Sequence, residues 1–317
     1  MDDYRWSTLH AEDVEAWATL TNTLAEHDRT EEFYGAEDLA EELEEPGFDP
    51  ARDSLAVWAG DQLVGYGQLR VALALDVEGR VRCSLGGGVH PEHRGRGLGR
   101  ALMEKMERRA DELAAERHPG RPWFFRADGG VSEADPVRRL LEHRGYRPVR
   151  WFNEMERPLD GPLPEVPVPD GVRLVRPDDE LCEPVRAAHN RAFLDHWGST
   201  EQTAETWAQH WRSRTSRLDC STVVLGARDE VLAYVLCAQW VERELYVNLV
   251  GTVPEARGRG LARAALAGTM AVAAASGRYD VIQLGVDSAN PTGATRLYDS
   301  LGFTVDRTVP SYRLDRS

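Results

Sequence analysis

Hydrophobic positions along the chain change from a helical period to a strand period and back, and this succession occurs twice. In the first half, apolar residues three and four positions apart, beginning at Val14 and Trp17, predict an early helix. Two strands joined by a tight turn are predicted at 54–58 and 63–71, and a third at 80–86 leads into a helix rich in alanine, leucine and arginine. Strands and helices in this mixed order are typical of an α/β or α+β fold with helices on both faces of a sheet.

The second half of the chain repeats the first. Residues 88–103 read GVHPEHRGRGLGRALM, and residues 251–266 read GTVPEARGRGLARAAL. The predicted strand pair at 54–66 has a counterpart at 222–234. Because these matches keep their order along the chain, we interpret them as a duplicated domain with changes in loop length.

A proline-rich stretch separates the two halves. It reads DGPLPEVPVPDG, and its prolines remove backbone donors and favour an extended connector. We therefore predict an N-terminal domain over 1–160, a linker over 161–170 and a C-terminal domain over 171–317.

Composition and charge narrow the classes of function. The 317 residues are 42% hydrophobic, enough for two cores. The net charge of -15 is expected to repel long polyanions, so no nucleic-acid partner is expected. The absence of a basic start and of a long apolar run predicts a cytoplasmic protein without membrane contact. The four cysteines lie far apart without a C-x-x-C spacing, so no metal site is expected.

Both copies of the repeat carry a glycine-rich loop between a predicted strand and a predicted helix. Glycines let the backbone turn sharply, and the first turn of a helix offers unpaired N–H groups beside a partial positive charge. Such a loop can hold a pyrophosphate without a metal, and arginines can add charge-assisted contacts. A turn with solvated arginines is the alternative, and its occurrence twice in matching contexts makes that alternative weaker. The residues expected to bind the phosphates are Thr252, Val253, Arg257, Gly258, Arg259, Gly260, Leu261 and Ala262 in the second copy and Val89, Arg94, Gly95, Arg96, Gly97, Leu98 and Gly99 in the first.

Two motifs of the second half resemble those of the GNAT superfamily of N-acetyltransferases. Residues 253–262, VPEARGRGLA, match the R-x-x-G-x-G/A loop of that family, and residues 290–303, NPTGATRLYDSLGF, match its N-x-x-A-x-x-L-Y-x-x-x-G-F helix. The resemblance extends to both halves and implies two tandem GNAT domains, each with a mixed, mostly antiparallel sheet. It also implies that the loops bind the pyrophosphate of acetyl-CoA as cosubstrate, that Asn290 contacts this cosubstrate, and that Tyr298 lies beside the thioester.

Tyr298 is the candidate general acid. An amine that attacks a thioester expels a thiolate, and a phenol, with an ordinary pKa of about 10 against about 8.5 for a thiol, can protonate it when held close. The matching position in the first half is Leu141, which cannot. We therefore assign catalysis to the C-terminal domain and expect an impaired N-terminal domain, whether it binds acetyl-CoA or is empty. Packing of the Tyr298 ring in an apolar core is the alternative.

Glu244 is the candidate general base. Glu244, Tyr246 and Asn248 alternate along a predicted strand and should share one face. A surface glutamate without a catalytic role stays equally open. In tandem members of the family that acetylate a mycothiol precursor, the resemblance implies a glutamate on this strand as base, and the matching position here, counted from Pro254, holds Tyr246. A backbone N–H near Gly251 is expected to meet the oxyanion.

The acceptor pocket is expected at the helices that precede the second strand of the C-terminal domain. Asp195 and His196 can orient or deprotonate a cationic substrate, and the aromatic face of Trp197 can hold an ammonium group. Asn248 completes this predicted set of substrate-binding residues. Nearby, Trp207 and Trp211 are one helical turn apart, which favours core packing.

The sequence therefore predicts an acetyl-CoA-dependent N-acetyltransferase that acts on a primary amine of a small molecule by direct transfer in a ternary complex. A small metabolite, an antibiotic, a peptide N-terminus and a mycothiol precursor all stay open as acceptors, and the protein is expected to be a monomer or homodimer. The alternative from another class is a non-catalytic acyl-CoA sensor or assembly module.

Overall fold

The computed structural model divides the chain into two compact units. One unit is formed by Met1–Arg150 together with Val309–Ser317, and the other by Trp151–Thr308. The structure describes residues 4–30, 33–130, 135–194, 200–289 and 293–316.

The first unit is a mixed sheet with helices on both faces. Its strands are β1 (Arg5–Ser7), β2 (Ser54–Ala59), β3 (Gln62–Val71), β4 (Val81–Val89) and β5 (Trp123–Asp128). Its helices are α1 (Val14–Asp28), α2 (Ala36–Leu43), α3 (Pro50–Asp53), α4 (Leu98–Arg117) and α5 (Pro136–His143). Neighbouring strands pair in chain order from β1 to β5, and of these pairings only that of β4 with β5 is parallel.

Alternation along β2 explains why helices cover both faces of this sheet. Val57 belongs to a core that includes Leu102 of α4. Its neighbours Ala56 and Trp58 belong to a second core that includes Trp17 of α1. Because successive side chains of a strand point to opposite faces, each helix covers its own side.

The second unit repeats this architecture. Its strands are residues 151–158 of β6 (Arg147–Pro158), then β7 (Arg173–Val175), β8 (Thr222–Leu225), β9 (Val231–Ala238), β10 (Glu244–Thr252), β11 (Val281–Asp287) and the start of β12 (Thr304–Arg316). Its helices are α6 (Cys182–Ala192), α7 (Ala204–Arg212), α8 (Leu261–Ser276) and α9 (Ala294–Ser300). From β6 the pairing runs through β11, β10, β9 and β8 to β7, and only β10 and β11 are parallel.

Two strands lie in a different compact unit from the one expected from the halves at 1–160 and 171–317. Residues 152–158 of β6 pair with β11, so the last strand of the first sequence half lies in the second unit. Residues 311–316 of β12 pair with β5 in the first unit. Each half ends in a strand, and the hydrophobic pattern of a strand specifies its buried face and not its neighbour.

Two parallel strands of the second unit separate partway along their length. The last pair between β10 and β11 is Val247 with Leu284. Beyond it, residues 249–252 pair with β9 and residues 285–287 pair with β6. A register shift between Val247 and Leu249 marks a β-bulge that contains Asn248. We call the space between residues 248–252 of β10 and 285–287 of β11 the wedge.

Three further features of the described ranges bear on function. No helix there is long and apolar enough to cross a lipid bilayer. No group of three or more His, Cys, Asp or Glu side chains there could hold a metal ion. The cysteines are free thiols, of which Cys83, Cys220 and Cys237 are buried and Cys182 is half-buried.

Candidate active site

Each unit contains one glycine-rich loop, and the two loops share a backbone conformation. Gly95 and Gly97 have φ angles of 75° and 85°, and Gly258 and Gly260 have φ angles of 77° and 76°. This left-handed region is open to glycine without strain. A Cβ atom on any of the four would meet no described atom within 4 Å, so the loops leave open space beside them.

The loops lead directly into the N-termini of long helices. Gly97 and Gly260 are the N-cap residues of α4 and α8, and neither helix has a side-chain cap or an acidic residue in its first turn. No acidic side chain of the first turn therefore offsets the partial positive charge of either terminus. Helix N-termini of this kind can hold a pyrophosphate, and phosphate binding by the two loops stays a prediction.

The first arginine of each loop is bound to the protein's own oxygen atoms. Arg257 donates to the carbonyl oxygens of Thr252 at 3.4 Å and Ala192 at 2.9 Å. Arg94 donates to the Val89 carbonyl at 2.9 Å and to both carboxylate oxygens of Asp28 at 2.8 and 2.6 Å. Although burial acts to raise the pKa of Asp28, the hydrogen bonds from Arg94 and His27 lower it overall. The charge of Arg94 is thus balanced by a carboxylate, whereas Arg257 donates to neutral carbonyls.

The other predicted phosphate-binding residues occupy two kinds of position. Arg96 donates to Tyr4 Oη and to the Glu92 carbonyl, both at 3.1 Å, while Arg259 is exposed on its loop. Leu98, Val253 and Leu261 are buried and anchor the loops. The half-buried members are Val89 and Thr252 at the strand ends and Gly99 and Ala262 in the first helical turns.

The wedge receives backbone N–H groups from β10. The N–H of Val253 donates to the Leu232 carbonyl of β9 at 3.0 Å. Since antiparallel pairing alternates along a strand, the N–H of Gly251 also faces β9, and those of Val250 and Thr252 face the wedge. Among the N–H groups near Gly251, where an oxyanion donor is expected, those of its two neighbours therefore face the wedge.

Tyr298 lies inside the core of the second unit. It is 6% exposed, and its ring lies 6.0 Å from that of Phe303 in an edge-on arrangement. Burial raises the pKa of Tyr298 to about 12, so the phenol stays protonated at neutral pH and can donate a proton. Leu141, at the matching position of the first unit, is a buried core residue.

A carboxylate that the sequence analysis did not select lies where the wedge begins. Glu154 of β6 lies opposite Gly285, the first β11 residue beyond the last β10 pair. Tyr246 Oη donates to Glu154 Oε2 at 3.3 Å. Burial raises the pKa of Glu154, against the opposing effects of the Arg307 charge and the Tyr246 hydrogen bond. Sequence reasoning missed Glu154 because it assigned this residue to the other domain.

Glu244 lies at the opposite end of the β10 pairing with β11. It is opposite Val281, three pairs before the strands separate at Val247. The expectation that Glu244, Tyr246 and Asn248 share one face is wrong at Asn248. The bulge inserts an extra residue, so Leu249 rather than Asn248 follows Tyr246 on that face. Asn248 itself is exposed.

The predicted acceptor residues Asp195, His196 and Trp197, and the predicted cosubstrate contact Asn290, lie outside the described residues. The helix before them, α6, places His189 against β9, where its Nδ1 lies 2.7 Å from Tyr234 Oη. The Tyr234 ring lies over Gly251, where a Cβ atom would come within 2.4 Å of it.

Trp207 and Trp211 on α7 are core residues, as their spacing predicted. Each is 3% exposed, and both belong to the core of the second unit. Their ring centroids are 6.3 Å apart. They therefore support the fold beneath α6 rather than offering an aromatic surface to a ligand.

Comparison with known proteins finds acetyltransferases among the relatives of this chain. The model of the acetyltransferase (GNAT) family matches residues 14–118 and 183–303. A mycothiol acetyltransferase of Thermomonospora curvata is 37% identical over 227 residues, which cover 68% of each chain. A mycothiol acetyltransferase of Thermobispora bispora is 34% identical over 260 residues, which cover 79% of each chain. The chain belongs to the GNAT family of acetyltransferases.

Solved structures share the fold over almost the whole chain. A GCN5-related N-acetyltransferase from Sphaerobacter thermophilus has a TM-score of 0.76 at 23% identity, with 99% of this chain and 96% of that chain covered. A tandem GNAT protein from the clavulanic acid biosynthesis pathway has a TM-score of 0.68 at 18% identity, with 98% of both chains covered. The predicted fold class of two tandem GNAT domains is confirmed. The protein is an acetyl-CoA-dependent N-acetyltransferase, and acetyl-CoA is its cosubstrate.

Proposed function

We propose that the unit of Trp151–Thr308 carries out the reaction, with Tyr298 as the general acid. The observation that carries this proposal is the difference between the units at one matched position. The second unit holds a buried phenol whose pKa is raised to about 12, and the first unit holds Leu141. The two loops are otherwise alike in backbone conformation, so phosphate binding alone does not distinguish the units.

The proposed transfer is a direct attack in a ternary complex. The loop of residues 257–262 holds the pyrophosphate, and the thioester lies in the wedge. The amine nitrogen forms a bond to the carbonyl carbon and loses one proton to a base, and the N–H groups of Val250 and Thr252 stabilise the oxyanion. The carbon–sulfur bond then breaks, its electron pair stays on sulfur, and Tyr298 protonates the departing thiolate.

We propose the cysteinyl amine of desacetyl-mycothiol as the acceptor to be tested first. The support comes from relatives named mycothiol acetyltransferases, which are 37% and 34% identical to this chain over most of its length. Other small-molecule primary amines form the comparison set, because the residues expected to contact the acceptor at 195–197 lie outside the described part of the chain.

The experiment measures thiol release from acetyl-CoA with desacetyl-mycothiol and a panel of amines. The variant Tyr298→Phe removes only the hydroxyl and should lose about 100-fold or more in turnover, while its affinity for CoA is kept. Tyr279→Phe is the matched control, since Tyr279 is also buried, at 4% exposure, and precedes β11 at the end far from the wedge. Unchanged turnover in Tyr298→Phe would remove the acid role, and release without any amine preference would remove the acceptor assignment.

A further inference from the structure

Glu154 and Tyr246 form a hydrogen-bonded pair in the second unit. Glu154 is half-buried, and the two side chains come from different strands, β6 and β10. Gly285 of the intervening strand β11 makes room for them, because a Cβ atom there would lie 2.8 Å from Tyr246 Oη and 3.0 Å from Glu154 Oε1. A side chain at 285 would therefore require Tyr246 and Glu154 to shift.

The position of the pair is defined by the strand register. Tyr246 lies one pair before the β10 and β11 strands separate, and Gly285 lies just beyond that point. Tyr246 shares its face with Leu249 and Gly251, because their partners on β9 are two residues apart. This face is the one on which Tyr234 contacts His189 of α6, so the pair lies on the α6 side of the sheet.

Charged groups of opposite sign on β12 act on the Glu154 carboxylate. Asp306 and Arg307 of β12 act on it electrostatically, one raising and one lowering its pKa. Arg307 donates to Asp306 at 2.8 Å, so its charge is shared with another carboxylate. On β6 itself, Glu156 lies two residues further from the wedge, opposite Gln283. Tyr246 supplies the hydrogen bond from β10.

We infer that Glu154 is the general base that takes the proton from the acceptor amine, and that Tyr246 positions its carboxylate. This inference rests on the proposed function, because it assigns the second half of the same proton transfer. As the nitrogen–carbon bond forms, the nitrogen loses one proton to a Glu154 carboxylate oxygen. At the other end Tyr298 gives one proton to sulfur, and both groups return to their starting states by exchange with solvent.

The proposed base is thus Glu154 on β6, whereas the sequence analysis named Glu244 on β10 as the candidate base. Tyr246 occupies the β10 position that the family resemblance associates with the base, and a phenol is a poor base at neutral pH because its ordinary pKa is about 10. Its hydroxyl instead donates a hydrogen bond to the carboxylate of Glu154 on β6, the strand on the other side of β11. The base therefore comes from the first half of the sequence and the acid from the second.

The decisive experiment is the pH dependence of kcat/KM for amine acetylation in four proteins: the wild type, Glu154→Gln, Tyr246→Phe and Glu156→Gln. After division by the free-amine fraction of the substrate, the wild-type kcat/KM should rise with pH as Glu154 loses its proton and then reach a plateau. Glu154→Gln should lose about 100-fold at neutral pH and lose this acid limb, so that its rate follows the free-amine fraction of the substrate. Glu156→Gln, on the same strand, should behave as the wild type.

The pH profile of Tyr246→Phe distinguishes positioning of the Glu154 carboxylate from a purely structural role of Tyr246. The Tyr246 hydrogen bond favours the charged form of Glu154, so its removal should raise the Glu154 pKa and move the acid limb to higher pH. An acid limb that stays in place in both Glu154→Gln and Tyr246→Phe overturns the inference.

A titration without acceptor tests the ionisation of Glu154 independently of turnover. Carboxyl carbon NMR of the wild type and of Glu154→Gln identifies the Glu154 signal, which should titrate above the ordinary glutamate value of about 4.3. If the wild type acetylates no amine, the proposed function fails and the base assignment fails with it. If the wild type acetylates an amine and Glu154→Gln keeps its rate and pH profile, only the base assignment fails. A Glu154 carboxyl that titrates at or below the ordinary value overturns the base assignment.

Discussion

At the scale of single residues, Tyr298 combines a core position with an ionisable group. Its ring packs beside Phe303, and the loss of water around its hydroxyl raises its pKa to about 12. Core packing of the ring, the alternative to catalysis in the sequence analysis, is thus the physical cause of the raised pKa of Tyr298. Core position and proton donation are therefore compatible roles for this residue.

The raised pKa of Tyr298 predicts a specific loss of stability in alkali. In the unfolded chain the phenol ionises near its ordinary pKa of about 10, and in the folded chain near 12, so the unfolded state loses the proton first. The stabilisation is complete below about pH 10 and is lost as pH rises toward about 12. Between about pH 8 and pH 11, the wild type should lose on the order of 1 kcal/mol more unfolding free energy than Tyr298→Phe.

Urea denaturation of both proteins at the two pH values measures this difference. The other buried tyrosines and cysteines are common to both chains, so their titration cancels in the comparison. Equal losses in the two proteins would show that the Tyr298 phenol is hydrated in the folded state.

The residues of the site differ in how far the sequence could predict them. Tyr298 and the loop glycines belong to local motifs, and their left-handed φ angles or helix positions follow from a few neighbouring residues. Glu154 meets Tyr246 only through the pairing of β6 with β11, across 92 positions of sequence. No local pattern reports a contact of that separation, so the base assignment to Glu244 was made within one strand.

At the scale of elements, the strands were predictable and their neighbours were not. The strands expected at 54–58 and 63–71 are β2 and β3, with ends shifted by one residue. Alternation fixes the buried face of such strands. It does not encode which strand pairs with β11, nor the bulge at Asn248 that disrupts the face shared by Glu244 and Tyr246.

Strand β6 is predicted to be necessary for the stability of the second unit. It pairs with β11 through seven residue pairs, and its Met155 is 1% exposed in the core. A chain of residues 171–317 lacks this strand, leaves β11 as an open edge and loses Met155 from the core. A chain of residues 147–317 retains it and is the matched comparison.

Thermal melts followed by circular dichroism test this prediction. The longer chain should melt cooperatively and at the higher temperature, because the edge of β11 is paired and the core is filled. Equal melting temperatures would show that the predicted domain boundary after residue 160 is also a boundary of stability.

At the scale of the whole molecule, two units with matching loops have different residues around them. In the first, Arg94 is paired with Asp28, β3 and β4 pair in an unbroken register, and Leu141 replaces the tyrosine. In the second, β10 carries a bulge beside the wedge and Tyr298 supplies a phenol. Duplication thus preserved the backbone conformation of the loop, and the proposed acid and base both lie in the second unit.

The most direct test of this account is a crystal structure with bound CoA. The account predicts the pyrophosphate at the N–H groups of residues 258–262, and the sulfur in the wedge within hydrogen-bond reach of Tyr298 Oη, at about 3.5 Å. A sulfur atom bound away from Tyr298, or CoA bound in the first unit alone, would contradict it.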